Sequence, residues 1–170
     1  MAIHNDTDKF KYFDASGKHR YLLTRNLLPD SNKTVLFIML NPSKANEEDN
    51  DPTIKRCMDF ARLWGYGLLK VVNLFSYIET DADKLKEHPQ CELFDDKTNE
   101  YIKDSVIGSD KIIVAWGNNV IKIGVDRVLE LAEMIKGKSV FCLSKNKSGQ
   151  PKHPLYAKKI NESELIEWSR

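Results

Sequence analysis

The longest unbroken apolar run of the chain, Val35-Leu36-Phe37-Ile38-Met39-Leu40, stops abruptly at Asn41-Pro42-Ser43. A run without polar alternation predicts a strand covered on both faces, as in a parallel α/β sheet. Three further segments read the same way: 68–75, interrupted by Asn73, then 111–117, then 139–143. Helical patterns fall between them. Asp51-Pro52-Thr53 is a helix start with Asp as N-cap and Pro at the first position, and Gly65 stands ready to end that helix. Ile54, Cys57, Met58 and Ala61 make its apolar stripe. A charged helix is expected over 91–106, with Leu93, Tyr101, Ile102 and Val106 inward, and another over 119–136, weakened at Gly124. A short last helix is expected near 162–169. Residues 10–25 alternate around Asp14-Ala15-Ser16-Gly17, which predicts a β-hairpin. Strand and helix alternate, with no repeat or linker. The expectation is one α/β domain over 1–170, a three-layer α/β/α sandwich around a central parallel four-stranded sheet. The N-terminal β-hairpin covers a sheet edge or pairs with a second subunit.

Composition narrows the setting. Hydrophobic residues at 41% and charged residues at 30% describe a soluble globular protein. No apolar stretch approaches the ~18 residues of a membrane span. Met1-Ala2-Ile3-His4-Asn5-Asp6 lacks the features of a secretory signal. Cys57, Cys91 and Cys142 are scattered, which argues against a disulfide framework and for a reducing, cytoplasmic setting. Net charge is +1, yet it is unevenly spread. Lys136 to Lys159 holds seven lysines and no acidic residue, so the rest of the chain carries −6. Lys145, Lys147 and Lys152 in that stretch form either a phosphate-contacting face or a solvated loop.

In a parallel sheet, ligands bind beyond the carboxyl ends of the strands. Asn41, Asn73 and Gly117-Asn118-Asn119 stand at three such ends, and His153-Pro154-Leu155-Tyr156 follows the fourth. Asn offers both a donor and an acceptor to a base edge, and histidine can stabilise an oxyanion on a leaving group. Arg20 and Arg25 in the hairpin either contact phosphate or lie exposed. Glu47, Glu48, Asp49 and Asp51 follow a strand end, where carboxylates can hold Mg²⁺ against a phosphate. The competing reading makes Asp51 a helix cap and the others loop solvation. His88-Pro89-Gln90-Cys91 has no second ligand pair for zinc. Gly65-Tyr66-Gly67 precedes a strand instead of following one, which rejects a dinucleotide fingerprint. Trp64, Trp116 and Tyr66 read as packing residues, and Cys142 as a small buried hydrophobe. No metal or cofactor is expected.

Two resemblances add to this reading. Met39-Leu40-Asn41-Pro42-Ser43-x-Ala45, Asp51-Pro52-Thr53, Trp64-Gly65-Tyr66-Gly67, Val72-Asn73-Leu74-Phe75, Ala115-Trp116-Gly117 and Gly149-Gln150-Pro151-x-His153-Pro154-Leu155-Tyr156 resemble an uncharacterised bacterial and phage domain family of unknown function. The order of motifs is also distantly similar to the uracil-DNA glycosylase superfamily. That likeness implies a uracil-DNA glycosylase-like fold and hydrolysis of an N-glycosidic bond after a base is flipped out. It assigns Asn41 to the attacking water, Asn73 to the Watson–Crick edge of a pyrimidine and His153 to the departing base. Leu155 would fill the vacated stack and Phe75 would stack on the base. Pro42 and Ser43 beside Asn41, and Tyr156 beside Leu155, would line the substrate. The partner implied is DNA or a nucleotide. This chain has Leu155 where the superfamily has a serine, Asn41 where the strongest glycosylases have a carboxylate, and too few cysteines for an iron–sulfur cluster. A non-catalytic module that binds a nucleotide or modified base, and a Mg²⁺-dependent phosphotransfer enzyme or nuclease, are the alternatives.

Overall fold

A computed structural model describes residues 9–43 and 50–170. Lys9–Phe13 (β1) and Arg20–Asn26 (β2) pair antiparallel through the turn at Asp14–Gly17, where Asp14 accepts hydrogen bonds from the His19 N–H and the Ser16 hydroxyl. Thr34–Met39 (β3) is buried at all six positions, as its unbroken apolar run predicts. Pro52–Leu63 (α1) follows, with Asp51 as its N-cap. Then come Leu68–Asn73 (β4), Gln90–Leu93 (α2) and Asp96–Ile107 (α3). Lys111–Val114 (β5), Val120–Ile123 (α4) and Asp126–Met134 (α5) lead to Phe141–Cys142 (β6) and Ile166–Glu167 (β7).

The seven strands form one mixed sheet in the order β1-β2-β4-β3-β5-β6-β7. Neighbours among β4, β3, β5 and β6 are parallel, while β1, β2 and β7 add antiparallel strands at the two edges. The period of two along β3 sorts its side chains. Val35, Phe37 and Met39 join Ile54, Cys57, Phe60 and Ala61 of α1 on one face. Leu36, Ile38 and Leu40 join Ile102 and Val106 of α3 and Val128 and Leu131 of α5 on the other. Both faces are thus covered by helices, and the centre of the four-stranded parallel part can be apolar, as β3 is.

The structure departs from the sequence reading in several places. The sheet has seven strands and is mixed, because β2 pairs with β4 and makes the hairpin part of the main sheet. The helix expected over 91–106 is split by Asp95, which N-caps α3. Its carboxylate accepts from the Thr98 N–H, and the Thr98 hydroxyl accepts from the Asp95 N–H. The helix expected over 119–136 breaks fully at Gly124, where the Gln90 Nε2 donates to the Ile123 carbonyl. The fourth strand shrinks to Phe141–Cys142. The C-terminal segment forms a 3₁₀ turn at Glu162–Glu164 and then β7, since Phe141 and Cys142 offer it an open sheet edge. Arg20 and Arg25 are buried, at 6% and 1% exposure. Cys57, Cys91 and Cys142 are free thiols, and Trp64, Trp116 and Tyr66 are buried. Among the described residues no helix is long and apolar enough to cross a membrane.

One glycine sets how closely α1's exit loop meets the start of β3. The Gly67 N–H donates to the Lys33 carbonyl, its own carbonyl accepts from the Leu27 N–H, and a Cβ there would run into the Ser31 carbonyl. Backbone cannot retreat as a side-chain tip can. Gly67→Ala is expected to lower unfolding free energy by about 1–3 kcal/mol in urea denaturation. An unchanged midpoint and slope would contradict this close approach.

Candidate functional site

The carboxyl ends of the parallel strands open into a cavity of about 720 Å³. β3 contributes Met39, Leu40, Asn41 and Ser43, and β4 contributes Val71 and Asn73. Met39 and Asn73 are register partners, so the two strand ends lie side by side. Trp116 to Asn119 follow β5, while Lys152, His153, Leu155 and Tyr156 come from the loop after β6. Asp51 and Thr53 at the start of α1, and Arg20 at the start of β2, complete the wall on the α1 side.

Asn41 is held by its amide nitrogen. Nδ2 donates to the Glu79 carbonyl at 2.7 Å and to the Pro42 carbonyl at 3.0 Å. Those bonds orient the carboxamide and leave Oδ1 as its acceptor end. Asn73 is 4% exposed. Among the described residues nothing hydrogen-bonds its carboxamide, and no fully buried side-chain polar atom lacks a partner. Its donor and acceptor ends therefore open into the cavity, ready for a ligand's polar edge.

His153 is carried by a braced loop. The Gly117 N–H donates to the Pro151 carbonyl and the Lys152 N–H to the Ser144 carbonyl, each at 2.9 Å. Trp116 Nε1 donates to Gln150 Oε1 at 2.8 Å, and Asn118 Oδ1 accepts from Asn146 Nδ2 and the Ser148 hydroxyl. Gly117, at φ 77°, takes the left-handed turn after β5 and leaves only 3.4 Å between its missing Cβ and that of His153. The His153 Nδ1 accepts from the Leu155 N–H at 3.3 Å. Nδ1 is then unprotonated, so the neutral ring carries its proton on Nε2 and keeps a donor there. Burial lowers the His153 pKa below the ordinary 6.5, and the nearby Asp51 charge opposes that shift. A neutral imidazole presenting an N–H is the form that stabilises an oxyanion without losing its proton first.

Asp51 does two jobs. Its Oδ1 accepts from the Ile54 N–H and its Oδ2 from the Ser43 hydroxyl, both at 2.7 Å. It caps α1 and also brings a carboxylate to the cavity wall that holds Asn41 and His153. The sequence left Asp51 open between a helix cap and a strand-end carboxylate, and the fold gives it both places. Arg20, left open between a phosphate contact and an exposed residue, lines the same cavity.

Asn41, Ser43, Asn73, Lys152, His153, Leu155 and Tyr156, all singled out from the sequence, thus share one cavity with the strand-end candidates Gly117, Asn118 and Asn119. Leu155 and Tyr156 are exposed, at 44% and 77%, as residues of a rim must be. Four others lie elsewhere. Pro42 is buried and serves through its carbonyl, which accepts from Asn41 Nδ2 and the Glu79 N–H. Phe75 is fully buried, packs against Phe94 and does not line the cavity. The chain bends after Asn73, with the Leu74 and Phe75 N–H groups donating to the Met39 and Leu40 carbonyls. With no exposed surface, the Phe75 ring offers no open face to a base in this structure. Lys145 and Lys147 are exposed on the loop outside the cavity. Glu47, Glu48 and Asp49 lie outside the described residues. Among the described residues no three His, Cys, Asp or Glu side chains gather as metal ligands.

Residues 20–155 match the family described as a protein of unknown function, DUF1643, and the chain belongs to that family. No curated protein and no solved structure matches it.

The half-buried His153 has a consequence for stability. Its folded pKa lies below the unfolded value, so the unfolded chain takes up its proton first as pH falls. Stability contributed by neutral His153 is complete above about pH 6.5 and falls as pH drops from there through the folded pKa. Thermal melts from pH 7.5 to 5.5 are expected to show a steeper loss for the wild type than for His153→Gln. Parallel losses would contradict a proton-resistant His153.

Proposed function

We propose that this DUF1643 member is a glycosylase-like hydrolase that cleaves the N-glycosidic bond of uracil or a modified pyrimidine in DNA or a nucleotide. The observation that carries this reading is the meeting of Asn41, Asn73 and His153 in one cavity, although 112 positions separate the first from the last. The three come from the ends of β3 and β4 and from the loop after β6, where the distant glycosylase likeness expects them. Parallel strands in the order β4-β3-β5-β6 with helices on both faces support a uracil-DNA glycosylase-like architecture.

In this mechanism a pyrimidine enters the cavity and Asn73 pairs with its polar edge. The bond between C1′ of the sugar and N1 of the base breaks, and its electron pair leaves with the base. His153 donates Nε2–H to the oxyanion that develops on the pyrimidine. Asp51 supplies negative charge to the cationic sugar. Asn41 Oδ1 orients a water whose oxygen bonds to C1′; the water gives up one proton, and the departing base gains one from solvent. Positioning and fixed charge supply the rate. Lys152 at the cavity, with Lys145 and Lys147 on the exposed loop, offers cationic contacts to backbone phosphates. Leu155 stands at the rim to fill a vacated stack.

The test is base release from single- and double-stranded oligonucleotides carrying uracil or modified pyrimidines, read by alkaline strand cleavage and mass spectrometry. His153→Ala and Asn41→Ala are each expected to lower release by roughly 100-fold or more while the fold persists. Tight binding of one base that Asn73→Ala abolishes, with no release by the wild type, would replace the hydrolase with a non-catalytic reader. Neither release nor binding would refute both.

A further inference from the structure

Among the described residues three arginines are buried, and two of them donate to framework oxygens. Arg25, 1% exposed, donates Nε to Asn50 Oδ1 and Nη1 to the Thr24 carbonyl, each at 2.7 Å. Arg127, also 1% exposed, donates Nε to the Leu74 carbonyl, Nη1 to Glu130 and Nη2 to Asn99 Oδ1. Arg20 differs. It is 6% exposed, and its backbone N–H is tied to the Ser76 carbonyl at 2.9 Å. Yet among the described residues no oxygen accepts from its guanidinium and no carboxylate forms an ion pair with it. Since no fully buried side-chain nitrogen lacks a partner, those N–H groups open into the cavity that Arg20 lines.

A cation taken out of water without a partner is costly, and the cost is felt at this site. Burial lowers the Arg20 pKa to about 10, Asp51 opposing and Arg25 adding to the shift. Arg20 still carries its charge at neutral pH. Its planar fork matches two oxygens of one oxyanion better than any single neutral acceptor. The cavity, at about 720 Å³, has room for a base and an attached anionic group together.

We propose that the ligand of this cavity carries an oxyanion, a phosphate or a carboxylate, that seats on the Arg20 guanidinium beside Asn73. The inference rests on the nucleobase reading for the rest of the ligand, and on Arg20's own geometry for the anion. It narrows the substrate class to a nucleotide whose phosphate enters the cavity, or to a pyrimidine whose ring carries a carboxylate. A neutral nucleoside leaves Arg20 unsatisfied.

Isothermal titration with uridine 5′-monophosphate, orotate (uracil carrying a ring carboxylate) and uridine separates these sources. One of the two anions is expected to bind the wild type about 10–100-fold more tightly than uridine. Preference for the monophosphate assigns the anion to phosphate, and preference for orotate assigns it to a carboxylate on the base. R20Q is expected to lose that preference with uridine affinity unchanged. R20K, which keeps a point charge without the fork, is expected to retain part of it and serves if R20Q does not fold. No anion preference in the wild type, or a preference that survives R20Q, would overturn the proposal. Uridine binding without anion preference refutes the Arg20 site alone, whereas anion binding that no base or sugar improves refutes the nucleobase reading and leaves Arg20 standing.

Discussion

Burial of β3 on both faces is the constraint on which the rest of this molecule depends. Val35, Leu36, Phe37 and Ile38 have no measurable exposure, with α1 over one face and α3 and α5 over the other. A strand so enclosed has no room for polar side chains along its length, because each would need a buried partner. Polar groups are therefore pushed to its end, where Asn41 leaves the apolar layer. Parallel pairing of β4, β3, β5 and β6 then puts the ends of four strands on one edge. The cavity is the space those ends leave between the sheet edge, the start of α1 and the loop after β6.

Within that space the charges are arranged by what the fold can satisfy. Asp51 is held by the Ile54 N–H and the Ser43 hydroxyl, so its negative charge is fixed in place. His153 is kept neutral by burial and is oriented by the Leu155 N–H. Arg25 and Arg127 are absorbed into the framework by neighbouring oxygens. Asn73 and Arg20 leave the whole of their side-chain hydrogen-bonding capacity to the cavity, beside Asn41 Oδ1 and His153 Nε2. A binding site is where a fold leaves such capacity open, since the cost of buried polar groups is then met only when a ligand arrives.

Much of the architecture was legible along the chain. β3, β4 and β5 announced themselves as unbroken apolar runs, and α1 by Asp51-Pro52 and its stripe. That Asn41, Asn73 and His153 line one cavity follows from strand ends sharing an edge, a rule that needs only strand order and direction. What escaped notice depended on tertiary partners. β7 forms because Phe141 and Cys142 present an unpaired edge to Ile166 and Glu167, and nothing local in Glu162–Glu167 specifies a strand. Phe75 sits two positions after Asn73 and reads as its companion, yet its ring is fully buried against Phe94. Arg20 begins an alternating hairpin strand, and the sequence left it open between a phosphate contact and an exposed residue. Pairing of β2 with β4 carries it inside.

The central claim is that three distant strand-end residues act as one nucleobase site. Side-chain ¹⁵N NMR during titration with uracil tests it most directly, because it reads each group separately and needs no turnover. Concerted shifts of the Asn41 and Asn73 carboxamides and of the His153 imidazole, all saturating with one affinity, are the result expected. Shifts confined to one of them, or located outside the cavity, would contradict a shared site.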